Sequence, residues 1–291
     1  MIKGGDTRGL STSDKFRIPY NRPTKNYDGK AYYFPQRDAD VGNLLARITN
    51  VSKGNEYAIE QLILGIKKDH GIKELSELFD GLWVFSAETQ ANALINWISS
   101  SYPMTISGSN FVWDPTFGIR FTVNDTFIST TLTPATCVNF TQYSFSFGCY
   151  VTQPSQSLAD QNLIQSTATN YACSIAKNST YYSIGGNAPQ TYGTGNSTKD
   201  HGLISIGRNF SPPVGVTSGI IDKTYLYING NTAAYVTHQI VNPSLGINGF
   251  RSGLNLRNTL GAYFVGGGTL NHGALAKRFN EYFFRIGAYQ T

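Results

Sequence analysis

The spacing of apolar residues changes once along this chain, near Ser99. Before that point it recurs every three to four residues, as on one face of a helix. Val41, Leu44, Leu45 and Ile48 predict a first helix, capped by Asp38 or Asp40 and ending between Asn50 and Gly54. Ala58, Ile59, Leu62, Ile63 and Ile66 predict a second over residues 56–69, stopped at His70-Gly71. Leu75, Leu78 and Phe79 continue the helical spacing within Ile72 to Asp80, as do Leu94, Ile95 and Trp97 within Thr89 to Ile98. The apolar stretch Leu82-Trp83-Val84-Phe85 lies between them. A helical segment this short has an apolar face that needs a neighbour.

Beyond Ser99 the period shortens to two. Phe117, Ile119, Phe121 and Val123 alternate with polar positions, and so do Tyr143, Phe145, Phe147 and Cys149. Further strand runs at Tyr171–Ala176, Thr180–Ile184, Gly202–Ile206, Lys223–Ile228 and Ala262–Val265 are separated by Asn, Gly, Ser and Pro clusters, the punctuation of a sandwich. Asn229-Gly230 follows the alternating Tyr225-Leu226-Tyr227-Ile228 and predicts a hairpin. After Gly266-Gly267-Gly268, helical spacing returns from Leu270 to Ile286 through Leu275, Phe279, Tyr282 and Phe283. The expected fold class is mainly β: a sandwich at residues 101–291 ending in a helix, preceded by a helical subdomain at 31–100 and an extended arm at 1–30.

Composition supports sheet, since 13% aromatic residues and 30 glycines suit pleats and turns. The net charge of +5 changes meaning once it is located. Residues 1–30 hold seven Lys/Arg against Asp6, Asp14 and Asp28, residues 31–88 hold six against nine acids, and residues 89–291 hold ten against six. There is no dense basic stripe interleaved with aromatics, which argues against specific nucleic-acid recognition. No run approaches a membrane span, and the N-terminus lacks the apolar centre of a secretion signal, so synthesis in a cytoplasm is expected. Cys137, Cys149 and Cys173 have neither C-x-x-C spacing nor an even count, and are read as small buried or half-buried hydrophobes.

The order of elements resembles tailed-phage and prophage virion proteins that carry a short helical segment before a concanavalin A-like, laminin-G-like jelly roll. The residues that carry the likeness are Asp38-Ala39-Asp40-Val41 opening a helix, and Leu75 through Trp83-Val84-Phe85-Ser86-Ala87-Glu88-Thr89-Gln90-Ala91 with Ala93-Leu94-Ile95-Asn96-Trp97. Tyr225 through Gly230 resembles the hairpin of that family, and Ala262-Tyr263-Phe264-Val265-Gly266-Gly267-Gly268 its last strand before a C-terminal helix. The likeness covers roughly residues 31–291. It implies a structural virion protein present in several copies as a homo-oligomer, at the tail, fibre or baseplate. Capsid decoration or a head fibre is the alternative, and a host-polysaccharide-degrading enzyme a third reading.

The arm at 1–30 is either a solvated tail or a segment ordered against other virion proteins. In the second reading Lys3, Arg8, Lys15, Arg17 and Arg22 meet carboxylates while Leu10, Phe16, Ile18, Tyr20 and Tyr27 fill pockets. For an enzyme, a retaining glycosidase needs two carboxyls roughly 5–5.5 Å apart, and the E-x-D-x-x-E strand motif of laminarinase-type members of this fold is absent. After Glu88 the only glutamate is Glu281, while Asp114, Asp125, Asp160, Asp200 and Asp222 stand alone in expected turns. No G-x-S-x-G elbow accompanies His70, His201, His238 or His272, and no cofactor is expected. Asp125 beside Asn124, or Asp200, are calcium candidates, but without a dense acidic loop turn chemistry explains them better and no metal is assigned. The sharper idea is a host-surface glycan. Sugar rings stack on exposed aromatics, and Tyr171, Tyr181, Tyr182 and Tyr192 with Asn187, Asp200 and His201 crowd one polar, Gly-rich region, although alternation sends about half of such tyrosines inward.

Overall fold

The computed structural model of the chain describes residues 37–122, 127–133, 135–141, 143–154, 161–166, 174–177, 181–185, 190–193, 201–211, 214, 221–239, 250–252 and 258–288; between residues 161 and 193 and at 250–252 the account is one of backbone pairing alone. The N-terminal arm lies outside the described residues. Helix α1 (Ala39–Leu45) is capped by Asp38, whose carboxylate accepts from Asp40 N at 3.0 Å. Helix α2 (Lys53–His70) starts at the Ser52 cap and stops at Gly71, whose left-handed backbone (φ 66°) suits a residue without Cβ. Both helices stand where the apolar spacing put them, although α1 stops at Leu45, short of the expected end between Asn50 and Gly54 and before Ile48.

The next two stretches of helical spacing fold otherwise. Ile72 to Asp80 forms only a single 3-10 turn, Leu75–Glu77, before strand β1 (Phe79–Val84) begins. Thr89 to Ile98 gives the four-residue helix α3 (Gln90–Ala93). The reason is nonlocal. Trp97 N donates to Leu82 O (2.7 Å), Leu82 N to Asn96 Oδ1 (3.1 Å) and Met104 N to Leu94 O (2.8 Å), so the polar groups that a helix would use are taken by β1 and β2.

The remaining strands are β2 (Met104–Ser107), β3 (Phe111–Asp114), β4 (Gly118–Phe121), β5 (Phe127–Thr130), β6 (Ser144–Gln153), β7 (Gln161–Ser166), β8 (Ser174–Lys177), β9 (Tyr181–Gly185), β10 (Gln190–Gly193), β11 (Gly202–Asn209), β12 (Ile221–Ile228), β13 (Asn231–Gln239), β14 (Phe250–Ser252) and β15 (Thr259–Gly266). They make two antiparallel sheets. The first runs β13-β12-β11-β6-β15-β4-β3, with β1 also paired to β15, and the second runs β10-β9-β8-β7-β14-β5-β2. Helix α4 (His272–Arg285) follows, close to the expected 270–286. The sandwich and its C-terminal helix are thus as the alternation predicts.

Alternation along the first sheet sorts its side chains between two cores. Phe145, Phe147, Cys149 and Val151 of β6 join Trp83, Ile204, Ile206, Leu226, Tyr263 and Val265 in the core that also takes Met104 and Ile128 of the second sheet. Tyr150, Leu203, Ala262, Phe264, Leu82 and Val84 point the other way, into a core built with α1, α2 and α4. Tyr150 stacks on Phe283 with centroids 4.1 Å apart, and its hydroxyl donates to Asn280 Oδ1 at 2.7 Å. Arg278 ties α4 to α2 through Asp69 at 2.7 and 2.8 Å. The guanidinium holds the Asp69 carboxyl below its ordinary range.

At its start α4 rests on a seat of small residues. The imidazole of His272 lies over Gly207, where a Cβ would come within 2.6 Å of Nε2. Ser205 Oγ is 2.8 Å from its Nδ1 and Ser146 Oγ 3.3 Å from its Nε2. A neutral imidazole offers one donor and one acceptor, and hydroxyls can rotate to meet both. Burial, with a smaller push from His70, brings the His272 pKa down to about 3.

Two outcomes follow. Phe279 is fully buried between the helices and the sheet, so Phe279→Ala should lower unfolding stability by about 3–5 kcal/mol in urea titrations. His272 binds its proton far more readily unfolded, near the ordinary pKa of about 6.5, than folded. Its contribution is therefore complete above about pH 6.5 and is lost as pH falls toward about 3. Between pH 7.5 and 5 the loss should be on the order of 2 kcal/mol, and His272→Gln should flatten that part of the stability profile.

Candidate functional site

Of the residues expected to bind glycan, Tyr181 and Tyr182 fall in β9 and Tyr192 in β10, at the β10 end of the second sheet. The register sets Tyr182 directly opposite Tyr192, with Tyr181 opposite Gly193. Two tyrosine positions are thereby brought to facing places on one side of a hairpin, and Tyr181 is a step out of phase. His201 is exposed just before β11, and its carbonyl accepts from Asn229 Nδ2 at 3.0 Å. It belongs to the first sheet, whereas the β9–β10 pair belongs to the second. Tyr171, Asn187 and Asp200 lie outside the described residues, as do all the proposed attachment residues of the arm.

Many of the described carboxylates are engaged in holding the fold. Asp80 accepts from the backbone N–H groups of Val138 (2.6 Å), Asn139 (2.9 Å) and Phe140 (2.7 Å), pinning a loop to β1. Asp114 accepts from Thr116 N and Phe117 N at 2.8 and 2.9 Å, the turn role expected of it. Asp38 and Asp40 share Lys67 at 2.7 and 2.9 Å, and their hydrogen bonds hold its ammonium pKa up against the opposing effect of burial. Glu56 pairs with Arg37 and Lys53, and Glu88 accepts from Ser52 N and Asn55 Nδ2. Asp125 and Asp160 lie outside the described residues. Among the described residues no group of three His, Cys, Asp or Glu gathers to hold a metal ion, and no helix is long and apolar enough to cross a membrane. Cys149 is buried and Cys137 half-buried. Burial, and then the neighbouring Asp80, push the Cys137 thiol pKa up, which leaves it protonated and unreactive.

A recess bordered by Val51, Glu88, Asn92, Trp97 and Tyr282 encloses about 20 Å³. That is room for a single water rather than a substrate.

The described side chains do assemble one aromatic surface that sequence reasoning missed. Tyr225 and Tyr227 of β12 and Tyr235 of β13 share the helix-facing side of the first sheet. Tyr227 stacks on His272 at 3.9 Å and 10°. Tyr225 lies 6.3 Å from Tyr227 and 6.0 Å from Tyr235 between ring centroids, and Lys223 Nζ sits 4.2 Å above the Tyr235 ring. The signal was present as Lys-x-Tyr-x-Tyr at 223–227 followed by Tyr235 across the predicted turn. Pairing register, which local alternation does not supply, is what turns it into a cluster.

No protein-family model matches the sequence, and no curated protein matches it either. Among solved structures the chain is similar to one of botulinum neurotoxin type C, a toxin whose cell uptake depends on interaction with two ganglioside molecules. That match has 14% identity and a TM-score of 0.50, and covers 72% of this chain and 52% of that one. The binding domain of Paraclostridial Mosquitocidal Protein 1 overlaps with 13% identity and a TM-score of 0.46, over 72% of this chain and 53% of that one. The chain spans about half the length of these structures. At such identity the likeness to the type C neurotoxin is one of fold, and together with the two antiparallel sheets it makes this a mainly β, concanavalin A-like jelly-roll sandwich with a small helical N-terminal part.

Proposed function

We propose that the chain is a non-enzymatic, lectin-like binding module of a tailed-phage particle, placed at the tail, fibre or baseplate and directed at host-surface glycans. The observation that carries the binding reading is the facing of the Tyr182 and Tyr192 positions on β9 and β10, in a chain where carboxylates such as Asp80 and Asp38 hold loops, caps and cations. Stacked aromatics supply contact area to sugar faces without any bond chemistry. Acid–base cleavage would need a pair of carboxyls free to exchange protons. The gangliosides named for the type C neurotoxin support the same direction by analogy of fold.

The phage setting is supported by the resemblance of residues 31–291 to virion proteins. Attachment is assigned to residues 1–30, whose charge excess and spaced apolar residues suit an acidic partner surface. Several copies per particle would convert weak single contacts into useful avidity.

Titration of the full chain with polysaccharide isolated from the host surface should show weak binding. Tyr182→Ala or Tyr192→Ala should reduce it by about fivefold or more while the thermal midpoint stays in place. Absence of binding at millimolar sugar would remove the glycan reading and leave an architectural domain. Separately, deleting residues 1–28 should leave a folded protein that no longer joins the particle. Normal incorporation of the truncated chain would place attachment in the helices or the sandwich.

A further inference from the structure

The helical layer does not cover the whole outer face of the first sheet. Its cover includes the centre of the sheet at β6, β11, β15 and β1 and reaches the β12–β13 hairpin at His272, under Tyr227. Beyond that ring the same face carries Tyr225, Tyr235 and Lys223. Tyr235 is 48% exposed and the other three are half-buried. The opposite face of the hairpin is ordinary core, with Leu226 buried and Ile228 and Ala234 packed against it.

Cross-strand aromatic pairs stabilise hairpins by themselves, and that accounts for Tyr225 meeting Tyr235. It does not account for three features together. The rings are tilted by 38° and 52° to one another, so they line a shallow trough instead of closing on each other face to face. Tyr227 is backed on one side by the His272 ring, which fixes its plane. Lys223 stands at one end of the trough with no carboxylate partner among the described residues, while its sequence neighbour Asp222 alternates to the other face. At the other end lies the N-terminal turn of α4, the positive end of a 14-residue helix. The turn between the strands is held firmly: Asn229 (φ 50°) donates to His201 O and accepts from Leu203 N, and Gly230 (φ 82°) lies so close to Gly273 that a Cβ would come within 2.4 Å of its Cα. These contacts and the His272 ring anchor the Tyr227 end of the trough before any ligand arrives.

We propose that Tyr225, Tyr227, Tyr235 and Lys223 form a surface site for an acidic sugar, separate from the β9–β10 tyrosines. The apolar face of the ring stacks on Tyr225 and Tyr235, the phenol hydroxyls bond its hydroxyls, and the ammonium of Lys223 leaves the Tyr235 face to meet the sugar carboxylate.

The test is titration of the full chain, by NMR or calorimetry, with oligogalacturonate and with neutral maltohexaose and hexaglutamate as companions. Oligogalacturonate should bind more tightly than either companion and weaken as NaCl is raised, since a half-exposed ion pair is screened. Lys223→Gln should weaken it about tenfold, and Tyr235→Leu, which keeps bulk on the strand, should do so about as much. Tyr182→Ala should leave it unchanged, which separates this site from the one under "Proposed function". Equal binding of maltohexaose would overturn the acidic class, equal binding of hexaglutamate would overturn the sugar, and no binding of oligogalacturonate, or full binding by Lys223→Gln, would overturn the site.

Discussion

The described fold depends on the centre of the first sheet being dry on both sides. Strand β15 shows the constraint most clearly: all eight of its residues are buried, one side against the sandwich core and the other against helices. It bonds to β6 along one edge, and to β1 and β4 in succession along the other. A strand so placed cannot alternate apolar with polar. It reads instead as the unbroken apolar run Leu260-Gly261-Ala262-Tyr263-Phe264-Val265.

That constraint also decides what could be read from the sequence. Strands β4, β6, β8, β9, β11, β12 and β15 and helices α1, α2 and α4 were legible because the sequence there alternates, forms a short apolar run between turn residues, or carries a clear apolar stripe, as at Tyr143 to Cys149 or Leu275 to Phe283. Leu82-Trp83-Val84-Phe85 was not legible as a strand, because an unbroken apolar run has no period of its own and helical spacing stands on both sides of it. The segment holding Leu94, Ile95 and Trp97 looked helical because three spaced apolar residues also fit an irregular chain zipped to β1. The proposed site was legible only as composition: tyrosines cluster near residues 171–201, and the register that sets Tyr182 against Tyr192 became visible in three dimensions. Tyr225, Tyr227 and Tyr235 were passed over as hairpin residues because their partner, His272, is remote in sequence.

A common physical theme links the facing tyrosine positions of β9 and β10 with the aromatic surface of β12 and β13. Each lies where a sheet runs out: β9 and β10 end the second sheet, and β12 and β13 end the first. The centre of each sheet is committed to packing, so chemistry that needs solvent is displaced to the margins. There a Tyr can keep its ring on the protein and its hydroxyl in water. His272 marks the border between the two regimes, being neutral and fully occupied by Ser146 and Ser205 on one side and offering its flat face to Tyr227 on the other.

The pairing of β1 with β15 sets Leu82 beside Phe264 and Trp83 beside Tyr263, near opposite ends of the described chain. Contacts of such sequence separation close late, since a long loop must be gathered before the first favourable contact is made. During synthesis, β1 emerges from the ribosome long before its partner and holds Trp83 and Phe85 uncovered for most of translation. The nascent chain is then exposed to mispairing, and a chaperone or a slow search should accompany its maturation.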